Sequence, residues 1–340
     1  MKILSVLFPL LFSVFCAAIS VFAEEPAKTD VIRFGIHWQP QSQFAGVLVA
    51  VEKGFFQKYV PNKKVEITLP GTSKRAIAGV GTGNIDFSTC WFPDALYHQM
   101  LNPSSKIVLL SQVTYTTPLM LVAHRGDGIR TPSDLNGRRV QTWLGNDIMV
   151  KHFLQKFDIR PVHIPQGSSM TPFLYRSVDV ACAMYYNEYH TLTEHGLKPE
   201  DIQVIRLREY GFDFPGDGIY CHEKTFREQP ELCKGVIAAV QDGWKFAIDE
   251  KNEAETLRIV TKYIKEADTI SSKSHQRWML RTFKLDLTAP YGGDAESSSD
   301  ILQETDFDRI LNIFKNADEL KDEKNIVFPK YTDFYPYGKK

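Results

Sequence analysis

Two series of alternating strand and helix patterns predict an α/β fold in two lobes, shaped as a clamshell with two hinge crossings. Three observations carry this expectation. The segment from residue 31 to residue 113 reads β-α-β-α-β-α-β with short connections, the pattern of a mostly parallel sheet. A second series of the same kind runs from residue 139 to residue 207. A return strand at residues 219–221 then leads into a helical C-terminal part.

The elements follow in order. Residues 31–36 (VIRFGI) form a β-rich run that breaks at His37-Trp38-Gln39-Pro40. A helix starts at Gln43, with Phe44, Val47, Leu48 and Val51 at helical spacing and Gly54 near its end. Strand 65–69, helix 74–80, strand 85–90, helix 95–100 and strand 107–113 complete the first series. Gly79, Gly81 and Gly83 follow a helix and precede a strand, the reverse of a dinucleotide loop, so they read as a helix stop and turn. Residues 119–123 read as a strand leaving this unit. The second series has residues 139–143, helix 148–157, strand 162–165, helix 170–175, strand 178–181, a helix entered from residues 184–189, and strand 204–207. Helices at 231–248, 253–264, 274–283 and 307–320 close the chain around a Gly/Ser/Pro-containing loop at 289–299, and the last residues read as an extended terminus. The crossings are expected near residues 121–124 and 217–220. One lobe is then residues 32–122 with 218–325, the other residues 123–217, and residues 326–340 are a tail.

The chain has 340 residues, 43% hydrophobic, and a net charge of −1, enough for two lobes and without the basic tract a nucleic-acid partner would need. Met1-Lys2, an apolar run over residues 3–21 and the small or β-branched pattern of Val21-Phe22-Ala23 predict a secretory leader cleaved after Ala23. No other stretch is apolar and long enough to span a bilayer, so an exported protein with no membrane insertion after cleavage is expected. Cys90, Cys182, Cys221 and Cys233 lie far apart without a CxxC pair, and no metal site is expected from them. Cys221 and Cys233 are the nearest pair; either a disulfide or two buried thiols fits their spacing.

A strand feeding directly into a helix places its loop at the C-terminal edge of a sheet, where open α/β folds bind ligands. His37, Trp38 and Gln43 occupy the first such edge, Trp91 the next, and Tyr185 and Tyr186 the one in the second lobe, just before the helix start at Asn187-Glu188. Far apart in sequence, these residues are expected to converge on one cleft, with the aromatics forming a cage. Taken singly, each aromatic fits a core position equally well, and Glu188 could simply cap a helix.

His37-Trp38-Gln39-Pro40, Gln43-Phe44-Ala45-Gly46 and Ala50-Val51-Glu52-Lys53-Gly54-Phe55-Phe56 resemble the opening of periplasmic solute-binding proteins. The branch is the one related to thiamine-pyrimidine synthase and to the nitrate, sulfonate and taurine binders. The resemblance continues in order through Gly83-Asn84-Ile85-Asp86-Phe87, Val178-Asp179-Val180-Ala181, Asn187-Glu188, the segment from Tyr210 to Gly218, and Gly243-Trp244-Lys245-Phe246-Ala247. It implies a type II periplasmic-binding fold, a small-molecule ligand between the lobes and delivery to an ABC importer's permease by a monomer. In members that bind thiamine-type pyrimidines, residues matching Trp38 stack on the ring, those matching Glu188 accept from ring amino groups, and those matching Asn187 add a donor–acceptor pair. His37 departs from the Asn or Asp usual at its position. Gly71-Thr72-Ser73 and Gly167-Ser168-Ser169 keep a sulfonate or similar anion as the alternative, and a sensory receptor partner is a further one.

The synthase branch uses pyridoxal phosphate and a cysteine-rich iron motif. Here the matching region reads Ser88-Thr89-Cys90-Trp91-Phe92 with a single Cys, and His98, His152 and His190 have no catalytic spacing. No catalytic residue and no cofactor are therefore expected.

Overall fold

The computed structural model describes residues 30–143, 148–288, 302–321, 323 and 325–338. The expected leader at 1–23 and the loop at 289–299 lie outside the described residues.

Two five-stranded sheets form the two lobes. The first contains β1 (Asp30–Gly35), β2 (Lys63–Thr68), β3 (Phe87–Trp91), β4 (Ile107–Gln112) and β10 (Asp217–His222), in the order β2-β1-β3-β10-β4. The second contains β5 (Leu119–His124), β6 (Arg139–Trp143), β7 (Val162–Gln166), β8 (Val180–Met184) and β9 (Ile202–Arg206), in the order β7-β6-β8-β5-β9. β1 pairs in parallel with β2 and β3, as short βα connections require, whereas β10 runs antiparallel between β3 and β4. β5 plays the same antiparallel role between β8 and β9. Each lobe therefore receives one strand from the far side of a crossing.

This pairing moves the expected boundaries. Residues 121–124 lie inside β5, and residues 217–220 lie inside β10. The crossings are the segments 113–118 and 207–216, so the first lobe ends before residue 119 rather than at 122. Sheet membership is decided by hydrogen-bond partners, and a strand near a crossing can look equally apolar in either lobe.

The helices of the first lobe are α1 (Ala45–Glu52), α2 (Phe55–Tyr59), α3 (Ser73–Gly81) and α4 (Phe92–Leu101). The helix expected from Gln43 begins instead as a 3-10 turn, Ser42–Phe44, and Gly54, at φ +73°, separates α1 from α2. The second lobe contributes α5 (Ile148–Lys156), α6 (Thr171–Leu174) and α7 (Glu188–Glu194). After β10 come α8 (Glu223–Glu228), α9 (Pro230–Ile248), α10 (Glu253–Glu266), α11 (Lys273–Thr288), α12 (Glu304–Lys315) and α13 (Tyr331–Phe334). α1 packs on α9 so closely that a Cβ on Gly243 would lie 1.9 Å from the carbonyl oxygen of Gly46.

Within the segment expected to be a tail, residues 331–338 form short helical turns. Phe334, on α13, is fully buried against Phe92, Tyr220 and Phe307, with ring centroids 5.9, 6.1 and 5.9 Å away. Aromatic side chains bury enough apolar area to dock a short segment. Among the described residues no helix is long and apolar enough to cross a membrane.

The two crossings are tied to each other. Gly216 N–H donates to Thr114 O at 3.0 Å, Asp217 N–H to Thr114 Oγ1 at 2.8 Å, and Thr117 N–H to Asp213 Oδ1 at 3.0 Å.

Candidate functional site

A cleft between the lobes holds about 410 Å³ of space free of protein atoms, its mouth included, lined by His37, Trp38, Gln41, Gln43, Ser73, Trp91, Trp143, Met184, Tyr186, Asn187 and Glu188. The first lobe supplies the residues up to Trp91 and the second lobe the rest. All sit where strand C-terminal ends meet the following loop or helix.

On the first-lobe side, β1 delivers His37 beneath the cleft. Thr89 Oγ1, on β3, accepts from His37 N–H at 3.2 Å and lies 2.9 Å from His37 Nδ1. A hydroxyl that accepts from the backbone can donate to Nδ1, which places the ring proton on Nε2, 3.6 Å from Asp217 Oδ1. Complete burial pushes the His37 pKa down to about 3, so the ring is neutral at physiological pH. Gln43 Nε2 donates to Asp217 Oδ2 at 2.8 Å, and Gln41 Nε2 donates to Gln43 Oε1 at 2.6 Å. This loop is anchored from outside, since Ser42 N–H and Oγ donate to Gln276 Oε1 and Gln276 O on α11. Trp91 meets Phe214 of the second crossing edge-on at 5.8 Å. Ser73 opens α3, whose N-cap is Thr72, and its buried hydroxyl has no hydrogen-bond partner among the described residues.

On the second-lobe side, β8 ends at Met184 and the chain turns before α7. Glu188 folds back over this turn: Oε2 accepts from Met184 N–H at 2.9 Å and Oε1 accepts from Asn187 Nδ2 at 3.0 Å. Only 6% of Glu188 is exposed, which excludes a solvent-facing helix cap. Burial, opposed by the bonds from Met184 and its own backbone N–H, raises its pKa to about 7. A carboxyl near its midpoint at neutral pH can donate or accept. Asn187 Oδ1 accepts from His275 Nε2 at 2.8 Å, so α11 of the first lobe reaches across to hold it.

Seven of the eight expected residues thus line one cleft. Tyr185 does not. Its N–H donates to Pro118 O, and its ring packs on Tyr189 and Trp278, lining a separate hollow beside Arg206 and Arg208. Tyr186 points inward and meets Phe283 at 5.1 Å. Successive residues at a strand end project to opposite sides, so both could not enter one cage. Gln41, Trp143 and Met184 complete the lining without having been expected there, and Ser73 joins them from the Gly71-Thr72-Ser73 loop read as a possible anion site. Trp143 carries the same signal as Trp91, a Trp at the C-terminal end of a strand; Met184 carries none.

Cys90 and Cys182 are buried, as are Cys221 and Cys233, two free thiols whose sulfurs lie in a weak hydrogen-bond contact at 4.0 Å.

Two five-stranded sheets, each with one antiparallel strand arriving from a crossing, and a cleft at their facing edges define a type II periplasmic-binding-protein fold. Residues 41–254 match the NMT1/THI5-like family model, and the chain belongs to that family. Solved structures agree on the fold. The periplasmic aliphatic sulphonate binding protein SsuA from Escherichia coli is 12% identical with a TM-score of 0.61, covering 88% of this chain and 90% of its own. The ligand-binding component of an ABC-type import system from Staphylococcus aureus is 12% identical with a TM-score of 0.59, covering 90% and 96%. The periplasmic nitrate-binding protein NrtA from Synechocystis is 11% identical with a TM-score of 0.53, covering 84% and 80%. No curated protein sequence matches the chain.

Proposed function

We propose that this chain is the extracytoplasmic binding component of an ABC importer, holding a small heteroaromatic ligand, a thiamine-type pyrimidine precursor, between its lobes. One observation carries the ligand class. Aromatic walls from both lobes, Trp38 and Trp91 against Trp143 and Tyr186, converge on the buried Glu188 carboxyl, and no Lys or Arg is among the described lining residues. An aminopyrimidine presents N–H donors beside ring-nitrogen acceptors. Glu188 can accept from the amino group and, when protonated, donate to the ring nitrogen, a strong pairing in a dry cleft. Family membership and the fold shared with named ABC-system binding components support the transport role, with an importer permease as partner. A leader cleaved after Ala23 would deliver the protein to the periplasm. The role needs no catalysis and no cofactor.

A second reading rests on Ser73. Its unpartnered hydroxyl at the N-terminus of α3 suits an anionic group, and similar folds include proteins named for sulphonate and nitrate. Calorimetry with an aminopyrimidine and with an alkanesulfonate separates the two. The heteroaromatic reading expects the pyrimidine to bind at least about tenfold tighter, and Glu188→Ala to weaken it by about 1.5–3 kcal/mol, the range for a charged hydrogen bond. Tighter sulfonate binding overturns it, as would pyridoxal phosphate absorbance with turnover into a pyrimidine.

A further inference from the structure

We propose that His190 and Glu194 of one lobe and His275 of the other form a binding site for a divalent transition-metal ion, zinc or a chemically similar cation, at the seam between the lobes. His190 and Glu194 are four residues apart on α7, which places their side chains on one face. His275 enters from α11 of the first lobe. His190 Nδ1 and His275 Nδ1 are 3.0 Å apart, Glu194 Oε2 is 3.7 Å from His275 Nδ1, and all three ligand atoms lie within 4.8 Å of one another. Zinc bonds of ~2.0–2.2 Å in a tetrahedron separate neighbouring donors by about 3.3 Å. The observed spacings bracket that value, so small side-chain rotations seat an ion, and the exposed Glu194 edge leaves room for a water as fourth ligand.

The far side of each group is already held, as in built metal sites. His275 Nε2 lies 2.8 Å from the side-chain Oδ1 of Asn187, an acceptor, so the ring proton sits on Nε2 and Nδ1 presents its lone pair. That lone pair accepts from His190 Nδ1–H at 3.0 Å with Glu194 Oε2 3.7 Å away, so a cation would take the place of this one proton among three converging donor atoms. Glu194 Oε1 accepts from Ser272 and Ser274 hydroxyls at 2.9 and 2.6 Å, turning Oε2 toward the histidines. The His190 ring stacks on Trp278 at 4.7 Å and 9°, which fixes its plane. Imidazole with one carboxylate is the donor set that suits zinc, copper or nickel rather than calcium or magnesium.

With ligands from both lobes, a bound ion would latch their closed arrangement. His275 also reaches the cleft through Asn187, whose amide donates to Glu188. Metal and cleft ligand should therefore strengthen each other's binding, and reciprocally. The metal site itself does not depend on what the cleft holds.

The test uses the full protein, dialysed against a chelator and titrated with zinc chloride in a calorimeter. The expected result is saturation at one ion per chain, with His190→Ala and Glu194→Gln each weakening the affinity at least about tenfold. Circular dichroism of the metal-free variants checks that they are folded. Cobalt(II) added to the wild-type protein should give the visible bands of a four-coordinate ion, a readout that needs no variant. Absence of one-site zinc binding by the wild type, or equal affinity in both folded variants, overturns the proposal. So does a cobalt spectrum showing only the hexa-aquo ion.

Discussion

Glu188 is buried in the cleft with its pKa raised from 4.5 to about 7, so protons favour the folded state. Its contribution to stability is fully present below about pH 4.5 and is lost as pH rises through about 7, an effect of up to about 3 kcal/mol. His37 works in the opposite sense: its pKa, lowered to about 3, gives stability that is present above about pH 6.5 and lost as pH falls. The two trends oppose each other in mildly acidic solution, so the wild-type profile alone does not isolate either. Glu188→Gln does, since it cannot titrate. The melting temperature of Glu188→Gln relative to wild type is expected to rise steadily between pH 5 and pH 8; a constant difference would falsify the burial effect. Thiols make a second residue-scale prediction. Burial pushes Cys90 and Cys221 well above the ordinary thiol range, with Cys221 raised first by its contact with Cys233. Thiolate is the reactive form, so Cys90 and Cys221 should resist a thiol reagent in native protein, as should Cys182 and Cys233 through their burial alone, and all four should react once denaturant is added. Rapid native labelling at any of them would contradict their burial.

At the scale of elements, the α1–α9 contact depends on two glycines. A methyl on Gly243 would meet Gly46 O at 1.9 Å and Ala50 Cβ at 3.1 Å, neither of which can swing away. Gly243→Ala should therefore push the helices apart and cost about 1–3 kcal/mol or more, read as a lower denaturation midpoint with an unchanged slope. An unaltered midpoint would mean the helices separate freely. The C-terminal segment offers a matching test. Ending the chain at Lys330 removes Phe334 and Tyr335, 1% and 3% exposed, and should destabilise the first lobe by about 3–5 kcal/mol in urea unfolding. Retained stability would return this segment to the status of a tail. The run FPKYTDFYPY gave a compositional hint, since its aromatics are too many for a solvated terminus. No periodicity says which core receives them.

For the whole molecule, the crossings at 113–118 and 207–216 join the lobes, and α7 meets α11 across the mouth of the cleft. A ligand held by both lobes binds the closed arrangement and not the unfolded chain. At about 100 times its Kd it should add about 2.7 kcal/mol, visible as an upward shift in a thermal screen of heteroaromatics and sulfonates. If no compound of either class moves the transition, the cleft is not the ligand site. Much of this architecture was legible in advance. Alternation of strands and helices predicts two lobes, the strand C-terminal ends predict that Trp38, Trp91 and one or both of Tyr185 and Tyr186 meet, and the family resemblance adds Glu188. The exact hinge was not legible, because residues 119–124 are apolar enough to suit either sheet.

What the sequence determines by itself is local and periodic: where strands stop, where helices start, and which side chains those edges carry. These follow from backbone geometry and the spacing of apolar residues, which need no knowledge of distant partners. Tertiary structure alone decided the rest. It sent Tyr185 outward and Tyr186 inward, brought Trp143 and Ser73 to the cleft, and set Asp217 beneath His37. It also placed His275 beside His190 and Glu194, residues more than 80 positions away in the chain. Such meetings depend on how two lobes seat against each other, and that is fixed by packing across the seam rather than by any pattern along the chain.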